Sequence, residues 1–174
     1  MSSGQSWMAI GAMVILSYLS LTFQRSQNVQ VSSSITYESI ISATGIGQSM
    51  LEQISGLDFD EKTIGGTVET PDTLTHPTSL GPEPGENDVS KFDDLDDYNG
   101  YSQLDTLSRL GSFECKVNVY YVEDSNLDLK SANKSFLKRV DISVVNNFLR
   151  QFDDEETAEW YAADTLYFSH IMSY

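Results

Sequence analysis

The sequence predicts an α+β protein: one long N-terminal helix packed on a small antiparallel β-sheet head. Three observations predict it. Trp7 to Phe23, WMAIGAMVILSYLSLTF, is an uncharged and mainly apolar stretch. No proline precedes Pro71, so a single helix can run from about Trp7 to Leu57. In the last third of the chain, apolar and polar residues alternate with the period of half-buried strands.

The helix divides into a membrane half and an amphipathic half. A spanning helix needs roughly 20 apolar residues, which residues 1–24 supply. A secretory signal opens on basic residues, and Met1 to Gln24 holds no Lys or Arg. A retained membrane helix is therefore the expectation, with a cleaved signal or a buried core helix as alternatives. Arg25 alone bears on orientation. Residues 25–59 change character. Val31, Ile35, Ile41 beside Ile40, then Met50, Leu51, Ile54 and Leu57 recur at steps of three and four, which predicts one buried stripe. Gly45 and Gly47 fall inside this half and cost roughly 1 kcal/mol each relative to alanine. They predict either a kink or a close approach by a packed neighbour.

Residues 60–91 hold all 4 prolines together with Gly65, Gly66, Gly81 and Gly85, the composition of a long connector. The head is expected over residues 92–174. It opens on FDDLDDYNGY, Phe92 to Tyr101, where Asn99-Gly100 signals a turn. Asp93, Asp94, Asp96, Asp97 and Asn99 are candidate calcium ligands, because hard cations take oxygen donors. The EF-hand spacing fails, since Leu95 stands where its first aspartate belongs. The competing reading is a solvated acidic turn whose aspartates cap backbone amides. Val117, Val119 and Tyr121 then predict one strand, and Val140, Ile142 and Val144 a second. Leu166, Phe168 and Met172 predict a third, completing a meander with one face free for the helix. The DDEE run at Asp153–Glu156 is expected at a turn tip.

The bulk charge narrows the function. A net charge of −16 argues against a nucleic-acid partner and against an anionic lipid surface as the partner of the head. Cys115 is the single cysteine, so neither an internal disulfide nor a cysteine-based zinc cluster can form. The catalytic inventory is thin. Cys115 and His170 do not build a specific nucleophile pair, no glycine-rich phosphate loop occurs, and the clustered aspartates would not straddle a glycosidic bond. No enzyme is expected, and no cofactor apart from the candidate calcium.

An N-terminal apolar helix, an amphipathic extension and a β head resemble the type IV pilin superfamily, which includes the pseudopilins of type II secretion. Several segments are similar to MSHA-type minor pilins: GQSMLEQISGLDFDE at Gly47–Glu61, FDDLDDYNGY at Phe92–Tyr101, KVNVYYVE at Lys116–Glu123 and LKRVDISV at Leu137–Val144. The resemblance implies a prepilin-peptidase cut between Gly4 and Gln5. There the sequence departs from the family: Gln5 replaces the usual phenylalanine, Ala9 replaces the conserved-position glutamate, and Met1-Ser2-Ser3 is not basic. That departure puts the cut in doubt and suits a minor subunit better than a repeating one. The resemblance further implies a structural, non-catalytic subunit of a cell-envelope filament or secretion machine. Its assembly helix would use Trp7, Ile10, Gly11, Val14, Leu16, Leu19 and Phe23. Its partners would be other pilin-like subunits, inner-membrane lipid and an assembly platform. It would sit as a single-pass inner-membrane protein with the head outside the cytoplasm, or extracellularly in a pilus. The alternative is a membrane-tethered adhesin or cation-sensing module that does not polymerise.

Overall fold

The computed structural model describes residues 3–149 and 165–174. Helix α1 (Ser3–Ser55) is continuous. The chain forms two compact units, Met1–Glu38 and Ser39–Tyr174. In the first, apolar side chains from Trp7 to Phe23 are exposed. Among the described residues, α1 is the helix long and apolar enough to cross a membrane.

Within the second unit, α1 packs on a four-stranded antiparallel sheet of β1 (Ser102–Leu107), β2 (Gly111–Tyr121), β3 (Leu137–Val145) and β4 (Thr165–Ser173). The strands lie in sequence order, a simple meander. Three strands were expected; β1 is the addition. Its pattern misleads because it is inverted. Gln103 and Asp105 stand opposite the buried Cys115 and Phe113, while Leu104 is 66 % exposed. An edge strand at the rim of the core tolerates polar side chains on its inner face. The β1–β2 hairpin turns through Gly111, at φ +72°.

The buried stripe of α1 also differs from expectation. Met50 and Ile54 are buried as anticipated, but Val31 and Ile41 are exposed. The seam runs instead through Ser39, Ala43, Gly47, Met50 and Ile54, at steps of three and four. Small residues hold the first three of these positions, and at Gly47 the sheet comes too close for any side chain. A side chain at Gly47 would collide with the ring of Phe168 on β4, whereas Gly45 faces open space. Close approach, not a kink, is the role of Gly47; the helix runs through both glycines unbroken.

Opposite this seam the sheet presents Phe113, Cys115, Val117, Val119 and Tyr121 from β2, with Val140, Ile142 and Val144 from β3, all buried. The register sets Val117 beside Ile142 and Ile142 beside Phe168, so the period-two pattern aligns into one apolar face. The run Asp153–Glu156 lies outside the described residues.

Candidate functional site

Lys138 is in phase with Val140, Ile142 and Val144, so the alternation of β3 carries its side chain into the core. It is fully buried. Burying an ammonium is costly unless opposite charge and hydrogen bonds surround it. The chain supplies both. Lys138 Nζ donates to Asp96 Oδ1 at 2.6 Å, to the Phe59 carbonyl at 2.6 Å and to Asp60 Oδ2 at 3.0 Å. It also lies 4.6 Å from the Phe59 ring centroid.

Asp60 is the organising acceptor. The Tyr121 hydroxyl donates to its Oδ2 at 3.0 Å, and the amides of Lys62 and Thr75 each donate to its Oδ1 at 3.1 Å. Burial pushes the Asp60 carboxyl up, but Lys138 and those amides outweigh it and hold the group below its usual value. Burial followed by the Asp60 charge pushes the Tyr121 hydroxyl well up. Three segments distant in sequence thus meet at one ammonium: the exit of α1, the acidic turn and β3.

FDDLDDYNGY is ordered by the same junction. Phe92, Tyr98 and Tyr101 form an edge-on aromatic cluster with centroids 5.0 to 6.0 Å apart. The Asp58 amide donates to the Asp93 carbonyl, and the Leu95 amide to the Asp58 carbonyl, fastening the turn to the end of α1. Gly100 turns at φ +84°, as Asn99-Gly100 predicts. Four of the five candidate calcium ligands have separate duties, while Asp93 takes part through its backbone amide and carbonyl. Asp94 Oδ1 accepts the amides of Asp96 and Asp97, and Asp97 Oδ2 accepts those of Asp93 and Asp94. Asp96 pairs with Lys138. Asn99 donates to the Leu80 carbonyl and accepts from the Val119 amide. The aspartates do cap amides, but Asp94, Asp96 and Asp97 are buried, not solvated. Burial, followed by the neighbouring charges of Asp96 and Asp97, pushes the Asp94 carboxyl up to about 8.

Two acidic residues of the connector join Asp97: Glu83 and Glu86 each place a carboxylate oxygen within 4.8 Å of it and of one another. The sequence reading did not single them out. Their signal was the run GPEPGE, where two glutamates three apart are confined by Pro82, Pro84, Gly81 and Gly85.

Cys115 is buried on the core face of β2, and burial pushes its thiol up to about 11, far from the range of a reactive thiolate. His170 does not approach it. Cys115 is level with Val144 and Leu166, two strands over, and His170 lies four residues further along β4. A groove of about 460 Å³ opens where α1 meets β1, lined by Ser42, Gly45, Ile46, Gln53, Gln103 and Asp105 among others. Its walls carry neither a nucleophile–base pair nor a cluster of metal-ligating groups. Gly4 and Gln5 lie in the first turn of α1. Trp7, Ile10, Val14, Leu16, Leu19 and Phe23 are all more than half exposed along it, and Gly11 is exposed with them.

Comparison with protein-family models, curated proteins and solved structures gives no match to this chain.

Proposed function

We propose that the chain is a structural, non-catalytic, pilin-like subunit of a cell-envelope filament or secretion machine, of the minor-pilin or pseudopilin kind. One observation carries the reading. A single unbroken helix of 53 residues displays exposed apolar side chains along its N-terminal unit, while its last turns pack on a four-stranded antiparallel sheet. An apolar surface of that length requires lipid or other helices around it. The apolar half is held in the inner membrane as a single pass, with the acidic head outside the cytoplasm. Assembly moves it laterally from lipid into a bundle of like helices, supplied by other pilin-like subunits on an assembly platform.

Gly11 and Ala12 permit close helix approach, which strengthens packing where lipid gives no hydrophobic driving force. Ala9, in place of a buried carboxylate, removes a charged docking signal and favours a subunit at a tip or base. The net charge of −16 leaves nucleic acid an unsuitable partner.

The test is site-directed crosslinking of the full chain in envelope membranes, through single cysteines at Ala9 or Val14 in a Cys115→Ala background. Crosslinks to itself or to other helix-anchored subunits are expected, with loss in Gly11→Leu/Ala12→Leu. Exclusively monomeric protein would instead favour the tethered, non-polymerising module. Intact mass and N-terminal sequencing of the same material decide processing, with a start at Gln5 marking cleavage after Gly4.

A further inference from the structure

We propose that Glu83, Glu86 and Asp97 form a binding site for a calcium-class divalent cation, which fastens the Pro/Gly connector to the acidic turn. The three offer carboxylate oxygens mutually within 4.8 Å, from two segments separated in sequence. Such a cluster alone is common on acidic surfaces. The second observation is the state of Asp97. It is 1 % exposed, and its Oδ2 is held by the amides of Asp93 and Asp94 at 2.9 and 3.3 Å. Its Oδ1 is buried and has no hydrogen-bond donor among the described residues. A buried carboxylate oxygen without a donor is expensive, more so beside two further carboxylates. The Glu86 carboxyl lies within hydrogen-bonding reach of the Asp97 side chain.

The local charge fits a divalent ion. Glu61 adds a negative charge near Glu83, and Lys91 sets one positive charge near Glu86 while its Nζ donates to the Gly85 carbonyl. Against four carboxylates, one ammonium leaves a large local excess of negative charge. The donors are all hard oxygens, and calcium accepts mono- or bidentate carboxylates with water completing roughly six to eight ligands. Asp97 alone is shared with the five candidates of the acidic turn. Of the others, Asp96 Oδ1 serves Lys138, Asp94 Oδ1 accepts backbone amides and Asn99 donates to the Leu80 carbonyl. The bound ion would tie Glu83–Glu86 to the turn that Lys138 anchors, making the connector part of the head.

The test uses the full chain in detergent, stripped with EDTA and then titrated with calcium chloride, against sodium chloride at matched ionic strength. One ion bound per chain is expected, with a rise in Tm of roughly 4 °C or more at saturating calcium. Glu83→Gln/Glu86→Gln should lose that response, yet melt without calcium at or above the wild-type temperature, because it removes like-charge repulsion. Failure of the wild-type chain to bind calcium overturns the proposal. So does a sodium chloride effect equal to that of calcium, or an undiminished calcium response in the double variant. The wild-type titration reads the site even if the double variant does not fold.

Discussion

Lys138 shows how one residue decides the polar interior of the head. With Asp60 and Asp96 it forms a buried three-membered charge network whose donors reach the end of α1 and the acidic turn. Removing one member of such a network costs about 3–5 kcal/mol, because the remaining charge stays buried and uncompensated. Asp60→Asn is therefore expected to lower stability by about that amount, measured by urea unfolding of the detergent-solubilised chain. Asp60 stays ionised to lower pH in the folded chain than in the unfolded one. Its contribution is complete above its ordinary value of 3.8 and is lost as pH falls below that, through the lower folded value. The stability gap between wild type and Asp60→Asn should be widest near neutral pH and close progressively in acid; a gap that widened in acid would contradict the pairing. Cys115 gives a second expectation. Buried, with its thiol pushed up to about 11, it should resist iodoacetamide at pH 8 in the folded chain and react fully once unfolded.

At the scale of elements, the contact between α1 and β4 turns on the missing side chain of Gly47. Gly47→Ala inserts a methyl group into the space of the Phe168 ring, and overpacking of this kind costs roughly 1–3 kcal/mol. Gly45→Ala meets nothing within 4 Å and should gain up to about 1 kcal/mol from helix propensity. Opposite signs at positions two residues apart, read from thermal melts, would establish the contact, and Phe168→Ala should relieve Gly47→Ala in a double-mutant cycle. The sequence made the long helix, the strands β2, β3 and β4 and the turn at Gly100 legible, because each follows a local period or a local backbone requirement. It hid β1, whose inner face is polar at the sheet rim. It also hid the true seam of α1, because serine, alanine and glycine at Ser39, Ala43 and Gly47 carry no hydrophobic signal. Lys138 was legible in principle: a lysine in step with Val140, Ile142 and Val144 announces a buried charge. Its partners were not, since Asp60 and Asp96 are brought to it only by tertiary folding. For the same reason Glu83 and Glu86 could not be paired with Asp97 from sequence alone.

At the scale of the whole molecule, hydrophobicity and charge are divided between opposite parts of the chain. Arg25, Glu38 and Glu52 are the charged residues before Asp58, and the remaining acid lies beyond. The first unit displays Met13, Ile15, Leu16, Leu19 and Leu21, each more than half exposed, with Thr22 and Ser17 hydroxyls turned back to helix carbonyls at 2.9 and 2.8 Å. That internal satisfaction of polar groups is what a helix in hydrocarbon requires. The full chain is therefore expected to stay in the membrane pellet after an alkaline carbonate wash and to leave it in detergent. Leu16→Arg places a charge near the middle of the apolar stretch, at an insertion cost of about 2.5–3.5 kcal/mol, or roughly a hundredfold in partitioning. It should shift a large share of the chain to the wash. Gln48→Arg sits on an exposed position of the same helix within the second unit and should leave partitioning unchanged. If wild type washed out as readily as Leu16→Arg, lipid would not be the medium of the first unit, and its apolar surface would have to be covered by protein from the outset. Equal retention of all three chains would place the membrane contact elsewhere than the apolar stretch, and the division of the chain into anchor and head would fail with it.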